Sequence, residues 1–499
     1  MYVTEGDVRG MSIKVRLFDT LSRTKVVLGS KVVRAYFCGP TVYDVPHLGH
    51  ARAYVVFDVL IRLLRKLGYR VKYVRNVTDV DDKIIRRAHE EGVSPFEIAE
   101  RYYYEFYDAM KMLKVLPPSV EPRASAHIPE IIEFVRRLVE KGYAYETPDG
   151  VYFRVKRFAE YGKLSKRNPE DMLAGARVEP SPYKEDPLDF ALWKKAKPGE
   201  PSWPSPWGLG RPGWHIECSA MALKHLGETI EIHGGGEDLI FPHHENEIAQ
   251  SEALTGKPFA KIWFHVGLLT IGREKMAKSL GNIVSVKEAL RRYDAETIRY
   301  FLLSVHYRRQ LAFDWKKMED AERKLDNLYR ALFLAEYLAK GGGGGISKSV
   351  KEFMNHAKNA FLSAMADNLD TVNAMKNLHS IAQYILQNHE LLTKDELLCL
   401  ARLMRDLGEI LGILEQSMEE RVAEKKARGK DLGLLLPPGY VPSETRLVEG
   451  LIRLVIEVRD VLRRMKMYDL ADSIRARLRE LGIVLEDTKS GTKFSIIKA

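Results

Sequence analysis

Apolar and polar positions follow two rhythms along this chain. Val32 to Cys38 is a β-type run, and Ala51 to Leu67 is apolar at helical spacing, ending at Gly68. Arg70 to Val77 reads as the next strand. Strand, helix and strand at this spacing predict a βαβ unit with a parallel sheet. Thr229-Ile230-Glu231-Ile232 and Ile262-Trp263-Phe264-His265-Val266 are further strands. Between them and the first unit the pattern changes. A helix from Ile128 to Lys141 leads to Tyr143-Ala144-Tyr145, Pro148-Asp149-Gly150 and Val151-Tyr152-Phe153, a hairpin signal. The Pro-rich stretch Pro198 to Pro212 returns the chain to the sheet. Ser285-Val286-Lys287-Glu288 reads as a capping box. Past Tyr307 the period is helical almost throughout. Gly341 to Gly345 interrupts it as a flexible joint, and Pro437-Pro438-Gly439 marks a second boundary.

Composition narrows the class. With 499 residues the chain accommodates two to four domains and an ample core. A hydrophobic content of 45% with 29% charged residues describes a soluble globular protein. No leader pattern and no apolar run of about 18 residues occurs, so a cytoplasmic protein with no membrane contact is expected. Three cysteines argue against a disulfide framework. A net charge of +10 suggests a polyanionic partner, but a lysine-rich soluble enzyme has the same balance. The basic residues come in short pairs such as Arg65-Lys66 and Arg86-Arg87, typical of solvated helix faces.

The densest candidate chemistry is Ile232 to Gln250, IHGGGEDLIFPHHENEIAQ. Three glycines after a strand let backbone approach a ligand closely. His243 and Glu247 are four apart, on one face of a helix, within reach of one metal ion. A zinc-protease HExxH is excluded, because position 248 is isoleucine. Two ligands do not close a zinc site. Cys38 and Cys218 would complete a set of two thiolates, an imidazole and a carboxylate. The alternative is that both are small buried hydrophobes, and spacing alone favours it, since no CxxC pair is present. Cys399, among leucines, reads as a core residue of a helix.

Two more motifs change the balance. Pro46-His47-Leu48-Gly49-His50 stands where the first strand hands over to its helix, and Lys275-Met276-Ala277-Lys278-Ser279 lies between Gly272 and Gly281. They resemble the HIGH and KMSKS signatures of class I aminoacyl-tRNA synthetases. With CGPTVYDVPHLGH, GWHIECSAM and HGGGEDLIFPHHENEIAQ, the resemblance narrows to the cysteinyl-tRNA synthetases, from about Val32 to the Gly491 region. It implies an α/β chain with a Rossmann-type parallel-sheet catalytic domain split by an insertion. A helical bundle and a small anticodon-binding domain follow. The expected bounds are 1–116 and 205–306 for the catalytic halves and 117–204 for the insertion. The bundle takes 307–436 and the anticodon-binding end 437–499.

The same resemblance implies the roles. Zn²⁺ would be held by Cys38, Cys218, His243 and Glu247 and would select the thiol of L-cysteine. His47 and His50 would bind the α-phosphate of ATP, and Lys275 and Lys278 the departing pyrophosphate; Mg²⁺ would arrive with ATP. Ala277 stands where the signature has serine, but the lysines carry the charge. Gly49 and Gly234 to Gly236 would admit adenosine, with Asp238 on the ribose or the substrate's amino group. Thr41, Thr78 and Trp214 would line the amino-acid pocket, although a core role suits Trp214 equally. Asp79 and Asp81 read as helix caps. Arg463, Asp472 and Asp487 fall where the family reads anticodon bases of tRNA(Cys), with an ordinary helix surface the alternative. Phe494 stands where the family usually has tryptophan. A monomer is expected. Two rivals remain: a cysteine ligase for a sugar-type amine, which would lack the long segment after Tyr307, and a non-catalytic RNA-binding relative, which would have lost the His47/His50 or Lys275/Lys278 pair.

Overall fold

The computed structural model describes residues 13–167, 181–272, 274–276, 281, 283–430, 432, 435–437, 443–488 and 491–496. A short hairpin, β1 (Arg16–Asp19) with β2 (Thr24–Val27), precedes the central strand β3 (Val32–Phe37). The helix α1 (Leu48–Lys66) returns the chain to β4 (Arg70–Arg75), which pairs parallel with β3. Two helices follow, α2 (Asp82–Glu91) and α3 (Pro95–Met112). Asp81 caps α2 by accepting from Lys83 N. Asp79 does not act as a cap; it accepts from the backbone and hydroxyl of Ser125.

The inserted segment starts with α4 (Ile128–Glu140) and builds an antiparallel sheet in the order β5 (Ala144–Thr147), β6 (Gly150–Phe153), β7 (Phe190–Lys195), β8 (Gly210–Pro212). The sheet therefore extends past residue 204. Gly150 is needed where it stands: its φ is 155° and a Cβ would lie 2.1 Å from Trp193 O. The apolar face of α4 (Ile131, Phe134, Leu138) packs with Phe153, Leu192 and Trp193. The same cluster includes Ile216 and Ala220 of α5 (Trp214–Leu226) and Ala249 and Leu254 of α6 (Glu245–Thr255).

After α5 the chain enters β9 (Ile230–Gly236) and, beyond α6, β10 (Ala260–Val266). The main sheet runs β10-β9-β3-β4, all parallel. Its strands are buried on both faces, which explains their near-continuous apolar runs. The chain leaves β3 towards β4 and later returns on the other side of β3, so the sheet switches direction between β3 and β9. A crevice at the carboxyl ends of such a strand pair is where open α/β sheets bind ligands.

A small sheet, β12-β11-β13, joins β11 (Leu269–Ile271), β12 (Glu274–Lys275) and β13 (Leu311–Phe313). Ser285 caps α7 (Val286–Arg292) by accepting from Glu288 N. The helices α8 (Ala295–Leu303), α9 (Trp315–Leu338), α10 (Lys348–Ala366), α11 (Thr371–Asn388), α12 (Lys394–Leu411) and α13 (Met418–Ala427) follow. Buried Arg299 of α8 ties this region to α1. It pairs with buried Asp58 of α1 at 2.6 Å and donates to Leu113 O and Leu411 O.

Gly341 to Gly345 differ from the flexible joint expected. All five have positive φ, and Gly343 N and Gly345 N donate to the Asp395 carboxylate at the start of α12. Thr393 Oγ1 donates to Gly345 O.

By compactness the chain divides into Met1–Leu435 and Leu436–Ala499. The second unit holds α14 (Ser443–Arg464), α15 (Tyr468–Glu480) and the antiparallel pair β14 (Ile483–Thr488) and β15 (Gly491–Ile496). Its core is Ile452, Ile456, Leu478, Ile483 and Leu485. Among the described residues, no helix is long and apolar enough to cross a membrane.

Candidate active site and metal centre

Cys38 follows the last residue of β3, Cys218 lies in the second turn of α5, and Glu247 lies in the first turn of α6. The expected helix through His243 begins only at Glu245. The turn before it is kinked at Phe241, whose backbone is extended. The spacing of His243 and Glu247 survives the kink, with Nε2 and Oε1 3.0 Å apart. One ligand atom from each of Cys38, Cys218, His243 and Glu247 falls within 4.8 Å of the others, and all four residues are buried.

The set fits zinc. Two sulfurs about 2.3 Å from a tetrahedral ion should be about 3.8 Å apart, and Cys38 Sγ lies 3.9 Å from Cys218 Sγ. Glu247 Oε2 is left without a hydrogen bond in this buried place, although His233 Nε2 is 3.0 Å away. Burial pushes the Cys38 thiol well above its ordinary value. Burial opposes ionisation of Cys218 too, but its hydrogen bonds with Cys38 and His243 bring it down to about 6. His243 is depressed by burial yet raised overall to about 10 by Glu247 and Cys218. Glu247 is held well below the usual carboxylate range by His233 and His243 against the cost of burial.

His47 and His50 share the N-terminus of α1. Each Nδ1 accepts from the other residue's backbone N–H at 3.3 Å, and the rings stack with centroids 3.7 Å apart. With Nδ1 accepting, the proton of each neutral ring sits on Nε2, so both histidines present an N–H donor. Gly49 is required by this arrangement, since a Cβ would lie 2.8 Å from the His47 ring. The backbone beside these histidines is joined to the segment after the lysine loop: Leu48 N donates to Val284 O, and Val286 N donates to Pro46 O. Lys275 pairs its backbone with Thr270 on β11, while Lys278 lies outside the described residues.

Thr41 and Thr78 form a parallel bridge across the mouth of β3 and β4. Trp214, at the start of α5, stacks on the His243 ring at 4.3 Å. Gly234 and Gly235 have a packing reason: a Cβ would lie 2.5 Å from Phe264 O at the first and 2.7 Å from Leu239 Cδ1 at the second. Gly236 is different, because its Cβ would meet only the Asp238 side chain, which is exposed.

Residues 24–323 match the family described as tRNA synthetases class I (C) catalytic domain. Over 97% of the chain the sequence is 46% identical to the cysteine–tRNA ligase of Aquifex aeolicus, of which 99% is covered. It is 47% identical to that of Thermococcus gammatolerans, with 97% and 99% covered. The chain belongs to the cysteine–tRNA ligase family. Among solved structures, methionyl-tRNA synthetase of Mycobacterium tuberculosis shares the fold at a TM-score of 0.60 and 15% identity, over 76% of this chain and 91% of that one. A leucyl-tRNA synthetase of Agrobacterium radiobacter does so at 0.61 and 11%, over 83% and 87%.

Around the quartet, this member of the cysteine–tRNA ligases carries residues that the sequence did not single out. His233 and His244 form a second grouping with Cys38 and Glu247, and His244 Nε2 is 3.3 Å from Cys38 Sγ. His244 Nδ1 meets His265 Nε2 at 2.8 Å, and His265 Nδ1 meets Thr20 Oγ1 at 2.7 Å. Burial holds His244 well below its ordinary value and brings His265 down to about 3, so both rings are neutral. His215 holds His243 from the other side, Nδ1 to Nδ1 at 2.9 Å. Glu217 is buried with neither carboxylate oxygen in a hydrogen bond among the described residues, and burial raises its carboxyl well above the usual range. His233 pairs with Tyr36 of β3, two residues before Cys38, so the register of β9 against β3 turns it to the quartet's side.

In the second unit, Asp487 accepts from Arg459, Arg463 at 2.7 Å and Thr492, and is held well below the usual carboxylate range. Asp472 lines a shallow groove with Arg475 and Arg479.

Proposed function

We propose that this ligase activates L-cysteine with ATP to cysteinyl-adenylate and passes the cysteinyl group to the 3′ end of tRNA(Cys), with zinc recognising the thiol. The observation that carries the reading is the buried quartet of Cys38, Cys218, His243 and Glu247 at the switch point of the sheet, on the same strand-to-helix connection, from β3 to α1, that leads to His47 and His50. The family membership and the matching signatures support the rest.

Cysteine and serine differ by one atom, and an ordinary pocket separates such near-isosteres by only roughly 10- to 200-fold. Zinc, held by the quartet, supplies a position that prefers sulfur to a hydroxyl oxygen. His215 and Trp214 fix the His243 ring from either side and so keep the quartet in register. Thr41 and Thr78 sit beside the amino-acid pocket, and Trp214 walls it.

Activation asks for positioning and charge stabilisation rather than covalent help from the protein. The Nε2–H donors of His47 and His50, at a helix N-terminus, meet the α-phosphate as charge develops. Lys275 and Lys278 neutralise the departing pyrophosphate, and Mg²⁺ bound to ATP would share that charge. Gly236 and Asp238 border the adenosine side. Arg463, Asp472 and Asp487 belong to the end that meets the anticodon, and the Asp487 ion pairs give that end a fixed donor face.

The test is cysteine-dependent ATP–pyrophosphate exchange, followed by charging of tRNA(Cys). Cys38→Ala and His243→Ala should raise KM for cysteine steeply and lose bound zinc while ATP binding persists. A normal KM for cysteine in metal-stripped protein overturns the metal's role. Exchange without tRNA charging favours the sugar-amine ligase instead.

A further inference from the structure

Among the described residues, every buried arginine but one pairs with a carboxylate. Arg75 has Glu121, Arg211 has Asp82, Arg299 has Asp58, Arg421 has Asp326 and Arg459 has Asp487. The exception is Arg52 of α1, which is 1% exposed. Its guanidinium donates instead to three backbone carbonyls: Leu268 O at 2.7 Å, Arg309 O, and Tyr307 O at 3.5 Å. Burial lowers it to about 10, so it stays charged at neutral pH. A buried guanidinium without a counter-ion is costly beside an apolar side chain of the same length, and stability alone does not account for it.

The place of those carbonyls shows what the arginine holds. Leu268 stands between β10 and β11, where the chain leaves the main sheet for the lysine motif, and Tyr307 and Arg309 stand between α8 and β13, where it comes back. Leu268 is gripped on both sides. Its N–H donates to the Glu237 carboxylate at 3.1 Å, and its carbonyl accepts from Leu311 N as well as from Arg52. Gly267 lets the two segments approach, since a Cβ there would lie 2.7 Å from Arg309 O. Beyond Leu268, β11 pairs with β12, and Thr270 is in register with Lys275. Past the motif, Leu48 N donates to Val284 O and Val286 N to Pro46 O. The helix α1 thus grips the exit of the lysine motif with backbone groups and its entry with one side chain, Arg52.

We propose that Arg52 is a positioning residue for adenylate formation: its fork fixes β11 and β12 against α1 and so sets the separation between Lys275 and the histidine pair. This rests on the reading of those residues as the ATP site. A fork is needed because acceptors on two segments, Leu268 O and Arg309 O, are held at once. A lysine ammonium is a point charge on a flexible stem and does not fix both. Displaced reacting groups slow the chemistry without touching the position of the thiol on the quartet.

Rapid-quench measurement of cysteinyl-adenylate formation on the full chain tests it, because the burst amplitude counts competent sites and the rate reports their positioning. Arg52→Met should keep its bound zinc, its amplitude and a KM for cysteine within about twofold, yet form adenylate about 100-fold more slowly. Arg52→Lys restores the charge without the fork and should stay at least about tenfold slow. Arg52→Met at the wild-type rate overturns the proposal. So does a low amplitude at the wild-type rate, the signature of a merely structural role. An Arg52→Lys variant as fast as the wild type also overturns it, since charge alone would then suffice. Should Arg52→Met not fold, the rate of Arg52→Lys decides by the same criterion. A wild type that forms no adenylate from cysteine and ATP is a separate failure, which overturns the ATP-site reading and this proposal with it.

Discussion

Replacing Gly234 by alanine separates two reasons for a glycine at that position: room for adenosine, or room for the protein itself. A Cβ there would lie 2.5 Å from Phe264 O and 2.9 Å from the Phe37 ring, against 3.4 Å or more for ordinary contact. About 0.9 Å must be found between β9 and β10, whose register pairs Gly234 with Phe264. Backbone cannot rotate out of the way as a side chain can. Overpacking of this kind costs roughly 1 to 3 kcal/mol, and stretching two ladder hydrogen bonds adds about 2 more. Alanine returns about 0.5 kcal/mol by restricting the unfolded chain. The net loss expected is about 3 kcal/mol. Gly236→Ala is the control, because its Cβ would meet only the movable end of Asp238, and its cost should stay under about 1 kcal/mol. All six tryptophans lie between residues 193 and 315, so urea unfolding followed by tryptophan fluorescence reports the first unit alone. Gly234→Ala should lower the midpoint markedly and Gly236→Ala hardly at all. If Gly234→Ala unfolds like the wild type and changes only KM for ATP, the packing argument is wrong and the ligand explains the glycine.

Metal loading should depend steeply on pH. His243, raised to about 10 without metal, and Cys38, raised above its ordinary value, must each lose a proton to bind zinc, so affinity falls as pH falls. The logarithm of the affinity should climb by about two per pH unit near neutrality, as read by competition with a chromophoric chelator; a flat profile contradicts the assignment. Glu231 is lowered to about 2, burial opposing and Arg34 prevailing, with Nε 2.9 Å from Oε2. A depressed carboxylate stabilises above its unfolded value and loses this as pH falls through its folded one. Glu231→Gln should cost about 2 kcal/mol at neutral pH, allowing for screening of the partly exposed Arg34, and the deficit should shrink below about pH 4. A deficit independent of pH refutes it. Asp487→Asn should break its ion pairs with Arg459 and Arg463, leaving Arg459 only Asp460, and speed amide hydrogen exchange in β14 and β15 about tenfold. Unaltered exchange would mean that the ion pairs hold nothing in place.

Much of the catalytic half was legible because its signals are local. The apolar period around β3, α1 and β4 fixed a parallel unit, and Pro148-Asp149-Gly150 marked the turn between β5 and β6. The quartet was legible only through the resemblance, since Cys38, Cys218 and Glu247 come from three elements that no sequence spacing relates. His233 and His244 escaped for the same reason. Their nearness to Cys38 depends on the kink at Phe241 and on the register of β9 against β3, both set by tertiary packing. Asp487 could be marked as functional, but its arginine partners come from α14 and became visible only with the fold.

Five glycines in a row suggest slack, and here they make a corner. Each of Gly341 to Gly345 occupies a left-handed angle that costs other residues about 1 kcal/mol or more, and the run is anchored on Asp395. A stiff bend conducts displacement where a loose tether would absorb it. The direction in which α10 leaves α9 is therefore set by the run itself and tied to the first turn of α12.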